Sequence, residues 1–279
     1  MNTEIVKGIV VERSIIHSQF LARDVIVDFY HPSILDTGAP LHLLLVNDGQ
    51  DLVAMGFEDL LGALLEEGGI QPLLCVGIHA NEDRRAEYGT AGVPDFGGRG
   101  AKAGAFHSFI LEELLPHIYR KFAAYSFQSH SVAGFSLGGL TAIDLAWRHP
   151  KVFSVAGVFS GSLWWRSKDL GDGYVEETDR IMHGLVRAGK YSAGLRFYFT
   201  TGSLDETADR NNNGIIDSID DTLGMIEELK KKGYGDEDIR YVNFEDGRHD
   251  VPTWRRALPD FLRWGWGMEP GRKIIPESC

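Results

Sequence analysis

Six short, almost unbroken apolar runs constrain this chain more than any other feature. They lie at 41–46, 73–78, 130–135, 155–159, 196–200 and 241–244, and Gly or Asp residues bound them. Runs of this length suit strands that are buried on both faces, as a parallel sheet requires. Helical spacing fills the gaps between them. The segment 57–67 stops at Gly68-Gly69, and 106–122 sets Phe109, Ile110, Leu114 and Ile118 along one face. The segments 137–148, 177–188, 220–232 and 253–264 follow. Strands alternating with helices predict a doubly wound α/β sheet. Two alternating stretches near the start, 8–16 and 24–30, predict an antiparallel edge to an otherwise mostly parallel sheet. No repeat or low-complexity linker interrupts the pattern, so one domain over residues 1–279 is expected. The Gly-rich stretch 89–104 reads as a long loop, and long loops in compact domains tend to carry function.

Charge and cysteine usage narrow the partners. A formal net charge of −12 disfavours nucleic acid and anionic membranes. Cys75 sits in an apolar run and Cys279 is terminal, so no disulfide framework is implied. No basic segment followed by an apolar one opens the chain, and no apolar run reaches the roughly 18 residues of a membrane span. A cytoplasmic protein with no nucleic-acid or membrane partner is expected.

The ester reading comes from Gly134-Phe135-Ser136-Leu137-Gly138, which directly follows the strand residues Ser131-Val132-Ala133 and opens a helix at Leu137. This is the strand–turn–helix setting of a nucleophile elbow, the hallmark of the α/β-hydrolase fold. Glycines flank Ser136 because side chains at 134 and 138 would strike the neighbouring strand and helix. The helix N-terminus offers free N–H groups to a developing oxyanion. A serine hydroxyl needs a positioned base, and in this fold the order is Ser, acid, His. Three histidines follow Ser136: His149 at a helix end, His183 within a helix, and His249 just after the last strand. His249 stands where the base belongs. The acid should follow the strand ending at Thr200, where Asp205 is preferred to Glu206 and, more distantly, Asp209. The oxyanion donors are expected to be the backbone N–H groups of Leu137 and Gln50, the latter in the Asp48-Gly49-Gln50 turn after the third strand.

With these residues placed, the chain resembles the putative-esterase family, which takes in enterochelin-esterase-like proteins, feruloyl esterase domains, S-formylglutathione hydrolase and mycolyltransferases. Asn47-Asp48-Gly49-Gln50, Gly134 to Gly139, Gly202-Ser203-Leu204-Asp205, and Gly247-Arg248-His249-Asp250 with Trp254 carry the resemblance. It implies acyl-ester hydrolysis by a Ser–Asp–His triad, with no cofactor for catalysis. In feruloyl-esterase-like members the acid lies three residues after a glycine, which Asp205 matches, and the resemblance supports Gln50 as a donor. The substrate range of the family is wide and does not fix the ester beyond a small-molecule or carbohydrate-linked one. An acyltransferase with the same triad, or a catalytically silent binding protein on the same fold, are the alternatives.

Two further segments bear on the site. Residues 209–220 follow an EF-hand loop pattern, with Asp209, Asn211, Asn213, the Ile215 carbonyl, Asp217 and Asp220 as Ca²⁺ ligands. The departure is at the twelfth position, where Asp220 replaces the usual bidentate Glu. A structural ion there would stiffen the loop that carries Asp205; a plain Asn-rich turn is the other reading. Substrate contacts are expected from Trp164, Trp165 and Arg166 after the strand at 155–159, and more weakly from Arg85 and Tyr88, with Arg84 and Glu87 beside them. Adjacent tryptophans cannot both face one side, so at least one of the pair should be core.

Overall fold

The computed structural model describes residues 8–33 and 41–268; Cys279 and the ends of the expected 1–279 domain lie outside them. The strands are β1 (Ile9–Ser18), β2 (Arg23–Pro32), β3 (Leu41–Asn47), β4 (Leu73–Ile78), β5 (Phe127–Phe135), β6 (Phe153–Phe159), β7 (Arg196–Leu204) and β8 (Ile239–Arg248). The α-helices are α1 (Phe57–Glu66), α2 (Arg84–Glu87), α3 (Ala103–Ser108), α4 (Leu115–Lys121), α5 (Leu137–Arg148), α6 (Glu176–Asp179), α7 (Ile181–Ala188), α8 (Asp217–Lys232) and α9 (Val251–Trp266).

Every expected apolar run is a strand of one sheet, in the order β1-β2-β4-β3-β5-β6-β7-β8. The β1–β2 and β2–β4 pairings are antiparallel and the others parallel, so the antiparallel edge and the parallel body both match expectation. β3 lies between β4 and β5 through Leu45, which pairs with Val76 on one side and Val132 on the other. The chain leaves β3 toward β4 and leaves β5 in the opposite direction. This reversal opens a crevice at the C-terminal ends of those two strands, where ligands bind in open α/β sheets.

Both faces are covered, which explains the unbroken apolar runs. Leu43, Leu45, Val76, Val132 and Phe197 point to a core shared with α5, α7 and α8. The alternate residues Leu44, Val46, Cys75, Phe135 and Phe159 point to α1 and α9. Phe261 of α9 packs edge-on against Phe159 at 5.4 Å and beside Tyr198 at 5.1 Å. Truncating a buried phenylalanine of this kind costs about 3–5 kcal/mol.

Three helical expectations are corrected. The segment 106–122 is not one α-helix: a wide π turn, Phe109–Leu114, separates α3 from α4. Pro116 lacks the N–H that the next turn would donate, so the regular ladder cannot run through it. The segment 177–188 is split by Arg180, whose backbone leaves the helical region (φ −73°, ψ 105°). The helix expected from residue 220 begins earlier, at Asp217. No helix among the described residues is long and apolar enough to cross a membrane.

Candidate active site

Backbone sterics build the elbow. Ser136 has φ 56° and ψ −120°, a positive φ that non-glycine residues hold only when the surroundings enforce it, at about 1–3 kcal/mol. The enforcement is visible. Ser136 N–H donates to the Phe159 carbonyl at 2.9 Å, and Ser162 N–H donates to the Ser136 carbonyl at 3.0 Å. A Cβ on Gly134 would lie 2.4 Å from the Gly138 carbonyl carbon, and one on Gly138 would lie 2.6 Å from Asp48 Oδ2. The expected collisions are therefore real, one with the helix start and one with the loop after β3. Leu137 opens α5, so its N–H has no partner within the helix.

Asp48 and Asn47 hold the floor. Asn47 Nδ2 donates to the Gly138 carbonyl at 2.9 Å. The Asp48 carboxylate is buried and takes a two-pronged pair from Arg84, at 2.6 and 2.7 Å. Gln50 lies in the 3₁₀ turn Gly49–Leu52, just beyond β3. Its side-chain oxygen accepts the Ala80 N–H at 3.0 Å, which ties that turn to the loop after β4.

The acid and base arrive on neighbouring strands. Asp205 follows β7; its Oδ2 accepts the Gly202 N–H at 3.0 Å, while Oδ1 is buried without a partner. His249 follows β8, its ring edge-on to Trp254 at 5.2 Å. Gly202 and Gly247 bring the ends of β7 and β8 together, because a Cβ on Gly202 would lie 2.5 Å from the Gly247 carbonyl carbon. Ser136, Leu137, Asp205 and His249 all line one cavity of about 410 Å³. Among the described residues no hydrogen bond joins Ser136 to His249 or His249 to Asp205. The Ser136 hydroxyl lies 3.4 Å from that of Ser162 instead. Catalytic hydrogen bonds are often long without substrate and tighten when it binds.

The imidazole is nonetheless tuned. Burial pulls the His249 pKa below its usual value; the Asp205 charge works the other way, and the Arg84 charge adds to the lowering. The neutral form needed to take a proton is favoured. Glu206, the rival acid, also lines the cavity. Burial pushes its carboxyl up, the Ser218 backbone N–H opposes this, and the charges of Asp217, Asp221 and Asp205 add to the rise. The other histidines stand elsewhere: buried His183 faces the Asp221 carbonyl at 2.9 Å, and His149 caps the end of α5.

The expected substrate contacts divide. Trp164 and Arg85 line the cavity. Trp165 does not: it is 0% exposed, and its indole N–H donates to the Val93 carbonyl at 3.4 Å, so it is the core member of the pair. Arg166 is turned over the Phe96 ring at 4.7 Å and toward Asp169 at 3.4 Å. Tyr88 is 1% exposed, and its hydroxyl accepts the Asp48 N–H at 3.1 Å beneath the elbow. Glu87 is buried against Arg23. Sequence reasoning missed Ser160, Ser162, Ser218 and Arg99, all on the cavity wall. Arg99 comes from the long loop, and its guanidinium covers the Trp164 ring at 4.8 Å. Nothing local in the sequence marks it; only the folding of that loop brings it in.

In the 209–220 loop, Asp209 accepts the N–H groups of Asn213 and Gly214 at 3.1 and 2.9 Å. Asn211 Oδ1 accepts from Asn213 N–H and Asn213 Oδ1 from Ile215 N–H. Asp220 accepts from the side-chain amides of Asn211 and Asn213. Asp217 accepts the Arg210 N–H at 2.9 Å and lies 3.3 Å from its guanidinium. Among the described residues no group of three or more His, Cys, Asp or Glu side chains is arranged to hold a metal ion. Arg210 competes for Asp217, and the Asn amides compete for Asp220.

Fold and elbow together define the α/β-hydrolase class. Residues 18–264 match the Putative esterase family, and the chain belongs to it. An iron(III) salmochelin esterase of Escherichia coli O6:H1, strain CFT073, is 25% identical over 244 residues, covering 84% of this chain and 52% of the relative. The chain thus spans about half the length of that curated relative. Solved structures below 25% identity share the fold. The enterobactin esterase of Shigella flexneri, solved with enterobactin present, has a TM-score of 0.70 and 23% identity, over 92% of this chain and 59% of that one. A serine hydrolase of Shewanella oneidensis, described as IroE-like, gives 0.68 and 20%, over 91% and 79%. A ferulic acid esterase gives 0.66 and 17%, over 92% and 97%.

Proposed function

We propose that this protein hydrolyses small-molecule carboxylic esters through an acyl-enzyme on Ser136. His249 takes the Ser136 proton as the oxygen attacks the ester carbonyl. The N–H groups of Leu137 and Gln50 receive the oxyanion. The tetrahedral intermediate collapses and expels the alcohol, which leaves with the proton held by His249. Water then repeats the sequence on the acyl-enzyme, releasing the acid and restoring the serine. Asp205 orients the imidazole and stabilises its charged form. The supporting observation is that one cavity is lined by a strained, positive-φ serine at a helix start, by a carboxylate with a buried unpartnered oxygen, and by an imidazole whose burial favours its neutral form. The relatives are named for siderophore and ferulate esters, and an aromatic ester of that general kind is the substrate proposed here. The test is fluorophosphonate labelling with an aryl ester panel. The wild type should label on Ser136 and turn over aryl esters. Ser136→Ala should not label and should lose turnover by roughly 10⁴-fold or more. A wild type that neither labels nor hydrolyses any member would favour a silent binding protein. Product analysis with added alcohols or sugars would expose an acyltransferase.

For the 209–220 loop we propose a structural Ca²⁺ site that steadies the Asp205 loop. Asp209, Asn211, Asn213 and the Ile215 carbonyl would supply the core ligands. Asp217 and Asp220 would have to leave their Arg210 and Asn partners to complete it.

A further inference from the structure

The cavity carries basic residues on one flank and carboxyl groups on the other, in a protein whose overall charge is −12. Arg84, Arg85 and Arg99 all line it. Two of the three are already neutralised. Arg84 is held by buried Asp48 at 2.6 and 2.7 Å, and Arg99 Nε donates to buried Asp95 at 2.6 Å. Arg85 is different: it is exposed, and among the described residues its guanidinium makes no hydrogen bond, ion pair or ring contact. It is the uncompensated cation of the three, a donor on the cavity wall that an incoming anion can pair with. Trp164, covered by Arg99 at 4.8 Å, provides a fixed aromatic surface in the same wall.

The sheet order sets this cation against its opposite. Arg85 follows β4 and Glu206 follows β7; each strand is two places from β5, which carries Ser136. With neighbouring strands about 4.8 Å apart, each flank stands about 10 Å to the side of the nucleophile strand. On the β7 flank Glu206, its Oε1 buried without a partner, lies next to Asp205, whose charge disfavours an anion there. On the β4 flank a forked donor awaits one.

Resting on the esterase reading, we propose that the preferred substrate is an ester bearing an anionic group, seated on Arg85 at the β4 flank and turned away from Glu206. Arg85 is then the residue that sets specificity. The carboxylate-binding role expected of Arg166 falls to Arg85, because Arg166 is occupied by Phe96 and Asp169.

The test uses isosteric pairs that differ only in charge. 4-Acetoxybenzoate against 4-acetoxybenzamide places the charge on the leaving group. 4-Nitrophenyl hydrogen adipate against 4-nitrophenyl adipamate places it on the acyl group. In one pair the wild type should favour the anion by about tenfold in kcat/KM. The pair that responds identifies which half of the ester faces Arg85. Arg85→Gln should bring that ratio to about one, and added salt should shrink it in the wild type. Turnover of both pairs with no preference for the anion would overturn the proposal and leave the esterase reading standing. If nothing is turned over, the esterase reading fails, and binding decides the anion site by itself. Ser136→Ala should bind 4-acetoxybenzoate about tenfold more tightly than the benzamide, and the double variant with Arg85→Gln should not. Equal binding of the two would overturn the proposal.

Discussion

The two halves of the site are built on different physics. The nucleophile half, from Asn47 to Gly49 and Gly134 to Gly139, is set by backbone contacts so close that a single Cβ would break them. The half after β7 and β8 has one such backbone contact, Gly202 against Gly247, but beyond it the reacting side chains stand in loops, where Asp205 keeps one oxygen unpartnered and His249 rests against Trp254. Steric construction leaves one arrangement. Polar construction leaves several of similar energy, and substrate can select among them. The first half is therefore a rigid platform, and the second is where binding completes the machinery.

That contrast can be pressed experimentally. The largest expected effect is on the polar half. Asp205→Asn should lower kcat by roughly 10³–10⁴-fold by misorienting the imidazole, with Ser136 still labelled slowly. Glu206→Gln should cost tenfold or less; the reverse ranking would make Glu206 the acid. On the steric half, Gly138→Ala must displace Asp48 or the α5 start, and should cost about 1–3 kcal/mol by thermal or urea unfolding. An unchanged midpoint would show the platform to be softer than its contacts imply.

A smaller effect tests the tuning of His249. The base acts in its neutral form, which predominates above its pKa. Burial lowers that pKa, so the acidic limb of kcat/KM against pH should fall below about 6.5. In Asp205→Asn the charge that raises it is gone, and the limb should move further toward acid. A limb above 6.5 in the wild type would contradict this assignment. The smallest effect concerns the 209–220 loop. At a hundredfold excess over its dissociation constant, Ca²⁺ contributes about 2.7 kcal/mol, a Tm rise of roughly 5 °C for a chain of this size. Asp209→Ala should abolish the rise. A melting curve indifferent to both Ca²⁺ and EDTA would leave the loop as an Asn-rich turn stabilised by its own hydrogen bonds.

Legibility in the sequence follows the same division. The sheet could be read because strands covered on both faces must be apolar throughout, as Leu41–Asn47 and Leu73–Ile78 are. The elbow could be read because its glycines answer to local sterics. What could not be read depends on distant partners. Nothing near Trp165 says that it, and not Trp164, is buried under the long loop. Tyr88 and Arg166 look like site residues until Asp48 and Phe96 are seen to occupy them. Arg99 enters the cavity only because its loop folds back across the sheet. The break at Arg180 and the early start of α8 likewise follow from tertiary contacts: Arg180 reaches Asp221 at 3.0 Å, and Asp217 caps Arg210.

The meeting of Gly202 with Gly247 makes the carboxylate segment and the imidazole segment one mechanical piece. Neither can be reshaped alone, since any bulk added to one displaces the other. An engineer seeking a new ester specificity by transplanting loops from a relative would have to carry both across as a matched pair. The arm bearing Arg85, anchored to a different strand, could be exchanged independently.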